Sequence, residues 1–238
     1  MGRRVMVGGR LVLFDLDGTL LRSEGLGRMA LDAVFRNRYG WSNATRDVDF
    51  AGAIDPEIVA QVFVQHGQDA ARARAEERGF FADYVAELRR LVRAGARPCR
   101  ALPGVPALLA RLRHESVVPG LLTGNVEGGA LAKLDAAGLE RFHEVGAFGD
   151  EARTREALLP LALRRANARR GRRRPFVAAD AVVVGDTPRD VAVARAHGAR
   201  AIAVATGFAS REALEAAGPD ALLDDLGCVE RSVEALLS

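Results

Sequence analysis

Two hydrophobic periodicities alternate along most of this chain. Short apolar runs occupy Leu11 to Phe14, Val117 to Leu122, Glu144 to Ala147, Ala181 to Val184 and Arg200 to Val204. Between and after them, apolar residues return every three or four positions over Val105 to His114, Gly128 to Ala137, Glu156 to Ala168, Pro188 to His197 and Arg211 to Ala217. Unbroken apolar runs of strand length belong to strands buried on both faces, and three-to-four spacing belongs to helices with one apolar side. Their alternation predicts an α/β fold, a parallel sheet with helices on both faces.

The segment from Leu21 to about Arg97 breaks the alternation, because it carries helical spacing throughout. Met29, Leu31, Val34 and Phe35 make one stripe, Ile58, Val59, Val62 and Phe63 a second, and Tyr84, Val85, Leu88, Leu91 and Val92 a third. Arg97-Pro98 and Leu102-Pro103-Gly104 mark the return to the sheet. The expected organisation is a discontinuous core of residues 1–21 and 98–238, with a helical domain of residues 22–97 inserted after the first strand. With 49% hydrophobic residues, 238 residues can bury one substantial core and a small second domain.

The candidate chemistry lies where apolar runs end. Leu11 to Phe14 runs into Asp15-Leu16-Asp17-Gly18-Thr19. Strand side chains alternate, so Asp15 and Asp17 are expected on one face, at the mouth where open α/β sheets bind ligands. Two carboxylates so close call for a cation between them, a retained proton or good solvation. Gly18 permits a sharp turn, and Thr19 offers a hydroxyl and an N–H to an anion. A second run ends in Thr123-Gly124-Asn125, and a third in Gly185-Asp186-Thr187-Pro188-Arg189-Asp190. A basic residue between these two runs would complete a phosphate site. Lys133, the only lysine, falls within an amphipathic helical pattern closed by Gly138 and reads as solvated helix surface. Arg153 and Arg155 follow the turn Gly149-Asp150, and Arg155 is preferred because it lies closer to the helix beginning near Glu156.

These four stretches resemble the four signatures of the haloacid dehalogenase-like hydrolase superfamily, and more narrowly its phosphoglycolate phosphatase-like branch. Asp-x-Asp-Gly-Thr, Thr-Gly-Asn, a basic residue and Gly-Asp-Thr-Pro-x-Asp occur in the family's order over nearly the whole chain. The family's basic residue is most often lysine, whereas here it is arginine, which is longer, keeps the charge and never deprotonates. The resemblance implies a Rossmann-like core with the inserted helices as a mobile cap. Gly52-Ala53-Ile54-Asp55-Pro56-Glu57-Ile58 is similar to the family's cap loop, so Arg28, Asp55 and His66 are candidate substrate contacts. Asp55 before Pro56 is also a good helix N-cap.

The resemblance further implies a Mg²⁺-dependent phosphatase acting on a small phosphorylated metabolite. Asp15 would be the nucleophile, Asp17 the proton carrier, and Thr123, Gly124, Asn125 and Arg155 the holders of the phosphoryl oxygens. Asp15, the Asp17 carbonyl and Asp186 would bind the metal, with Asp190 beside them. A dehalogenase would need no metal and would lack Asp17. A sugar phosphomutase would share every core residue, and a phosphoacceptor signalling module would be about half as long, without the inserted helices.

Charge and cysteine content change this picture little. The net charge is +3 and the pI about 9.4. The densest basic run, Arg164 to Arg174, straddles a helix end and has no interleaved aromatics, so no nucleic-acid partner is expected. Cys99 and Cys228 form no metal or redox spacing. The apolar stretch behind Arg3, Arg4 and Arg10 is too short for a signal peptide, and no run reaches membrane-spanning length. A cytoplasmic protein is expected, with its oligomeric state open.

Overall fold

The computed structural model describes residues 9–139, 142–170 and 174–238. Arg3 and Arg4, and residues 171–173 of the basic run, lie outside the described residues. The chain runs β1 (Arg10–Phe14), β2 (Leu21–Arg22), α1 (Leu26–Tyr39), α2 (Asp55–Gln65), α3 (Ala70–Arg93), β3 (Arg100–Ala101), α4 (Val105–Leu112), β4 (Val117–Leu122) and α5 (Glu127–Ala136). It continues with β5 (Val145–Ala147), α6 (Leu158–Arg170), β6 (Ala181–Gly185), α7 (Pro188–His197), β7 (Arg200–Val204), α8 (Arg211–Ala216), β8 (Ala221–Leu223) and α9 (Val229–Leu237). No helix among the described residues is long and apolar enough to cross a membrane.

Six strands form one parallel sheet in the order β5-β4-β1-β6-β7-β8. Strand alternation divides its side chains between two cores. Val12 and Phe14 of β1, Val182 and Val184 of β6, and Ile202 and Val204 of β7 pack beneath α4, α5 and α9. Leu11 and Leu13, Ala181 and Val183, and Ala201 and Ala203 pack on the opposite face under α6, α7 and α8. With both faces covered, the strands must be apolar at every position, which is why they read as unbroken runs.

The central strand β1 lies between β4 and β6, and chain connections leave it in opposite directions across the sheet. This is the switch point at which open α/β sheets form a crevice beyond their strand ends. All three sequence stretches singled out above converge there, since they follow β1, β4 and β6.

The inserted segment has an apolar cluster of its own, in which Phe35, Phe63, Phe80 and Tyr84 are buried with Leu31, Val34, Ile58, Val59, Val62, Leu88 and Leu91. The Phe35 and Phe80 rings lie 4.7 Å apart. Met29 departs from the expected stripe and is exposed, because it lies to one side of the buried Ala30-Leu31 pair. Leu21 pairs with Ala101 and Arg22 with Arg100 in a short antiparallel ribbon, so the chain leaves the sheet and returns to it side by side. The ribbon, β8 and α9 have no counterpart among the expected elements. At two or three residues, the strands are too short for a periodic signal.

Candidate active site

Asp15 is the first residue beyond β1, and its N–H still donates to the Val184 carbonyl at 2.8 Å, continuing the ladder. This anchors the carboxylate at the crevice, where it is only 6% exposed. Arg155 reaches it from the turn ahead of α6, with its guanidinium 3.2 Å from Asp15 and 2.5 Å from Asp190. The same group donates to the Gly52 carbonyl at 3.2 Å. Burial raises the Asp15 pKa despite the opposing charge of Arg155.

Asp186 ends β6 and accepts from the Thr19 hydroxyl at 3.2 Å and the Phe208 N–H at 2.8 Å. Gly18, at φ 85°, makes this approach feasible: a β-carbon there would stand 2.5 Å from a carboxylate oxygen of Asp186. Burial, then the neighbouring Asp15 and Asp190 charges, push the Asp186 pKa up. Asp190 is fixed from its own helix start, accepting from the Thr187 N–H at 3.0 Å and the Thr187 hydroxyl at 2.7 Å.

Oxygens of Asp15, Asp186 and Asp190 lie within 4.8 Å of one another, and all three residues are buried. Of these, Asp15 and Asp190 pair with Arg155, whereas Asp186 has no cationic partner among the described residues. A compact, charge-deficient set of hard oxygen donors fits Mg²⁺.

Asp17 does not join this cluster. Beyond Phe14 the chain leaves the strand, so alternation no longer governs direction, and Asp17 faces a different cation. Lys133 Nζ lies 2.5 Å from its Oδ2 and 2.6 Å from Asn125 Oδ1. Asn125 Nδ2 donates to Asp17 at 2.9 Å, and the Ser23 hydroxyl also donates to Asp17, at 2.7 Å. Burial alone would raise the Asp17 pKa, but the Lys133 charge and these hydrogen bonds outweigh it and hold the carboxyl below its ordinary value.

The reading of Lys133 as solvated surface is therefore wrong; the residue is 4% exposed. An amphipathic pattern assumes one buried side, but α5 is covered on two. Ala130 and Leu134 face the sheet core, while Ala132 and Val126 join the core of the inserted helices. A signal was present in the composition: of 34 basic side chains, Lys133 alone is lysine. Arg155 lies inside the site as expected, and Arg153 lies outside it, paired with Glu77 of α3 at 2.9 Å.

The end of β4 faces the same crevice. Thr123 is fully buried, and its hydroxyl accepts from the Asn125 side chain at 3.0 Å. Gly124 and Asn125 line a cavity of about 160 Å³ with Asp15, Asp17, Lys133, Arg155 and Asp186. Its other wall comes from the inserted segment, including Arg28, Phe50, Asp55 and Tyr84.

The candidate substrate contacts fare differently. Arg28 lies 4.1 Å above the Phe50 ring and donates to the carbonyls of Thr45 and Val48, so its guanidinium is largely committed to its own segment. Asp55 accepts from the Val126 N–H at 2.8 Å, while its own N–H donates to the Gly124 carbonyl at 2.8 Å. It thus bonds to the start of α5 as well as standing in the first turn of α2. His66 is not among the residues lining the cavity; it stacks on Trp41 at 4.2 Å and contacts the Val62 carbonyl.

Comparison with known proteins places this site in a family. Residues 10–198 match the haloacid dehalogenase-like hydrolase family. The chain is 30% identical over 230 residues to a phosphoglycolate phosphatase of Synechococcus elongatus, covering 95% of this chain and 98% of the relative. It is 29% identical to the probable phosphatase IndB of Dickeya dadantii, covering 95% and 94%. The fold superposes on CbbY of Rhodobacter sphaeroides in complex with phosphate, with a TM-score of 0.70 at 23% identity over 92% of this chain and 96% of that one.

Proposed function

The chain belongs to the haloacid dehalogenase-like hydrolase family, in its phosphoglycolate phosphatase-like branch, and from that premise we propose that it hydrolyses a small phosphate monoester through an aspartyl-phosphate on Asp15. The observation that carries the proposal is the convergence of Asp15, Asp186, Asp190 and Arg155 at the sheet's switch point.

Asp15, the backbone carbonyl of Asp17 and Asp186 would hold Mg²⁺, while Asp190, already engaged by Arg155 and Thr187, steadies the group from behind. Bound Mg²⁺ supplies positive charge that lets a carboxylate approach a phosphate dianion. Arg155, Thr123 and the backbone N–H groups of Gly124 and Asn125 hold the phosphoryl oxygens as charge spreads over them. Asp15 attacks phosphorus in line; the P–O bond to the leaving group breaks as the new one forms. Asp17, protonated from solvent as the incoming phosphoryl charge raises its proton affinity, delivers that proton to the departing alkoxide, while Lys133 and Asn125 hold its carboxyl in place. It then takes a proton from the water that hydrolyses the acyl phosphate, which returns it to its starting form.

The inserted helices act as a cap that excludes water and chooses the leaving group. The enzyme would work in the cytoplasm, where Cys99 and Cys228 stay free thiols.

The test is phosphate release from a panel of phosphometabolites by the purified protein. Turnover should vanish with a chelator and return with Mg²⁺, and Asp15→Asn should abolish both turnover and acid-stable labelling by the phosphoryl group. Undiminished turnover after rigorous metal removal would refute the mechanism.

A further inference from the structure

Within the buried acid cluster Asp186 alone lacks a cationic partner among the described residues, so something else must fix the direction of its carboxylate. The Thr19 hydroxyl bonds one oxygen, and the N–H of Phe208 donates to the other at 2.8 Å. Phe208 lies in the loop beyond β7, a segment with no part in the proposed mechanism. Its side chain cannot explain the loop's position by burial, because the residue is 62% exposed. The backbone itself packs against the acid. A β-carbon on Gly207 would stand 1.8 Å from the Asp186 oxygen that accepts from Phe208, and one on Gly18 would stand 2.8 Å from the Gly207 α-carbon. Two glycines from different strand ends thus enclose one carboxylate, closer than any side chain would allow.

The loop is tied down in turn. The Ala205 N–H donates to the Leu223 carbonyl of β8 at 2.9 Å, and the Thr206 hydroxyl donates to the Gly18 carbonyl at 2.6 Å. The Thr206 carbonyl accepts from the Arg22 guanidinium at 2.7 Å. Arg22 belongs to β2, whose pairing with β3 forms the ribbon through which the inserted helices leave and rejoin the sheet domain. It has no carboxylate partner among the described residues, so the Thr206 carbonyl is what directs its side chain. A continuous path of contacts therefore runs from the ribbon through Arg22 and Thr206 to the Phe208 N–H and Asp186.

We infer that the Thr206-Gly207-Phe208 loop is the positioning element of the metal site, and that Arg22 fixes it to the base of the inserted helices. None of these residues is a ligand. A carboxylate binds a cation well when its remaining lone pairs already point at the site, and an N–H on one oxygen sets that direction before the ion arrives. Arg155 orients Asp15 and Asp190 in this way. For Asp186 a neutral donor does so without adding a positive charge that would repel Mg²⁺. The affinity for Mg²⁺ then depends on Arg22, which does not line the cavity.

The inference rests on the reading of Asp186 as a Mg²⁺ ligand, and calorimetric titration of Mg²⁺ into the metal-stripped, substrate-free protein tests the two separately. A native protein that binds no Mg²⁺ would overturn the metal reading and this inference with it. Phe208→Pro, which removes the N–H, should raise the Kd roughly 10- to 100-fold, whereas Phe208→Ala, which keeps it, should stay within about twofold of native. Arg22→Met should raise the Kd about 3- to 10-fold, and Arg22→Lys, which restores a donor, should recover most of that loss. The urea midpoint of the metal-free protein should be unchanged in Arg22→Met, because the lost bond lies at the surface, so weaker binding there does not come from unfolding. Where Phe208→Pro does not fold, Thr206→Val removes only the hydroxyl tie to Gly18 and should also raise the Kd about 3- to 10-fold. A native Kd in Arg22→Met, Thr206→Val or a folded Phe208→Pro, or an equal loss in Phe208→Ala and Phe208→Pro, would overturn the loop's role while Mg²⁺ binding by the native protein stands.

Discussion

Asp55 offers a direct test of how the inserted segment is held against the phosphate-binding strand end. The carboxylate is 7% exposed, and burial raises its pKa from 3.8 to about 6 even though Lys133 and the Val126 N–H both favour the charged form. A rise of roughly two units corresponds to about 3 kcal/mol of penalty on the ionised state. The folded protein holds this proton more tightly than the unfolded chain does, so the contribution of Asp55 to stability is greatest below about pH 4. It falls as pH rises toward 6, and the full penalty applies above that. Asp55→Asn removes the charge but keeps an acceptor for the Val126 N–H, against a cost of about 1 kcal/mol for its new amide donors. The variant should match or exceed the native protein by up to about 2 kcal/mol at pH 7.5 and show a flatter stability profile between pH 5 and 7.5. Asp55→Ala leaves the Val126 N–H, at the residue just ahead of α5, without its partner and should lose about 1 to 2 kcal/mol. Urea unfolding with a chelator present, at pH 5.0, 6.0 and 7.5, reads all three proteins without interference from metal binding. A native-like pH slope in Asp55→Asn, or a loss above about 2 kcal/mol at pH 7.5, would show that the ionised carboxylate contributes more than its burial costs.

Two further substitutions probe the two buried cations. Lys133→Met strands the Asp17 carboxylate and should cost about 2 to 3 kcal/mol of stability, discounted because the Asp17 side chain is 19% exposed; Asp17→Asn in the same chain should recover part of it. A change below about 0.5 kcal/mol, typical of a surface lysine, would contradict the burial. Arg155→Ala should cut turnover on the order of a hundredfold, about 3 kcal/mol of transition-state stabilisation, in the phosphate-release assay, and a loss under about threefold would remove Arg155 from the mechanism.

The sheet was legible from local pattern because its strands lie in the middle of a two-sided core, where every position must be apolar. The ends of β4, β7 and α7 fall where the runs placed them. β8 and α9 escaped because an edge strand of three residues and a terminal helix depend on packing for their definition. At the site, the carboxylates at strand ends were equally legible, since an acid directly behind an apolar run must emerge at the sheet's mouth.

Pairing was a different matter. Asp15 and Asp17 are two residues apart, yet one meets Arg155, from far along the chain, and the other meets Lys133. Nothing local distinguishes them, because the strand ends at Phe14 and the turn at Gly18 redirects the backbone. Likewise, the surface reading of Lys133 followed from helical periodicity and failed because α3 covers the second side of α5. The chain's own pattern determined which strand-end residues reach the crevice. Only the tertiary structure decided which charges share it, because a buried charge is settled by whatever opposite charge the packing brings within a few ångströms.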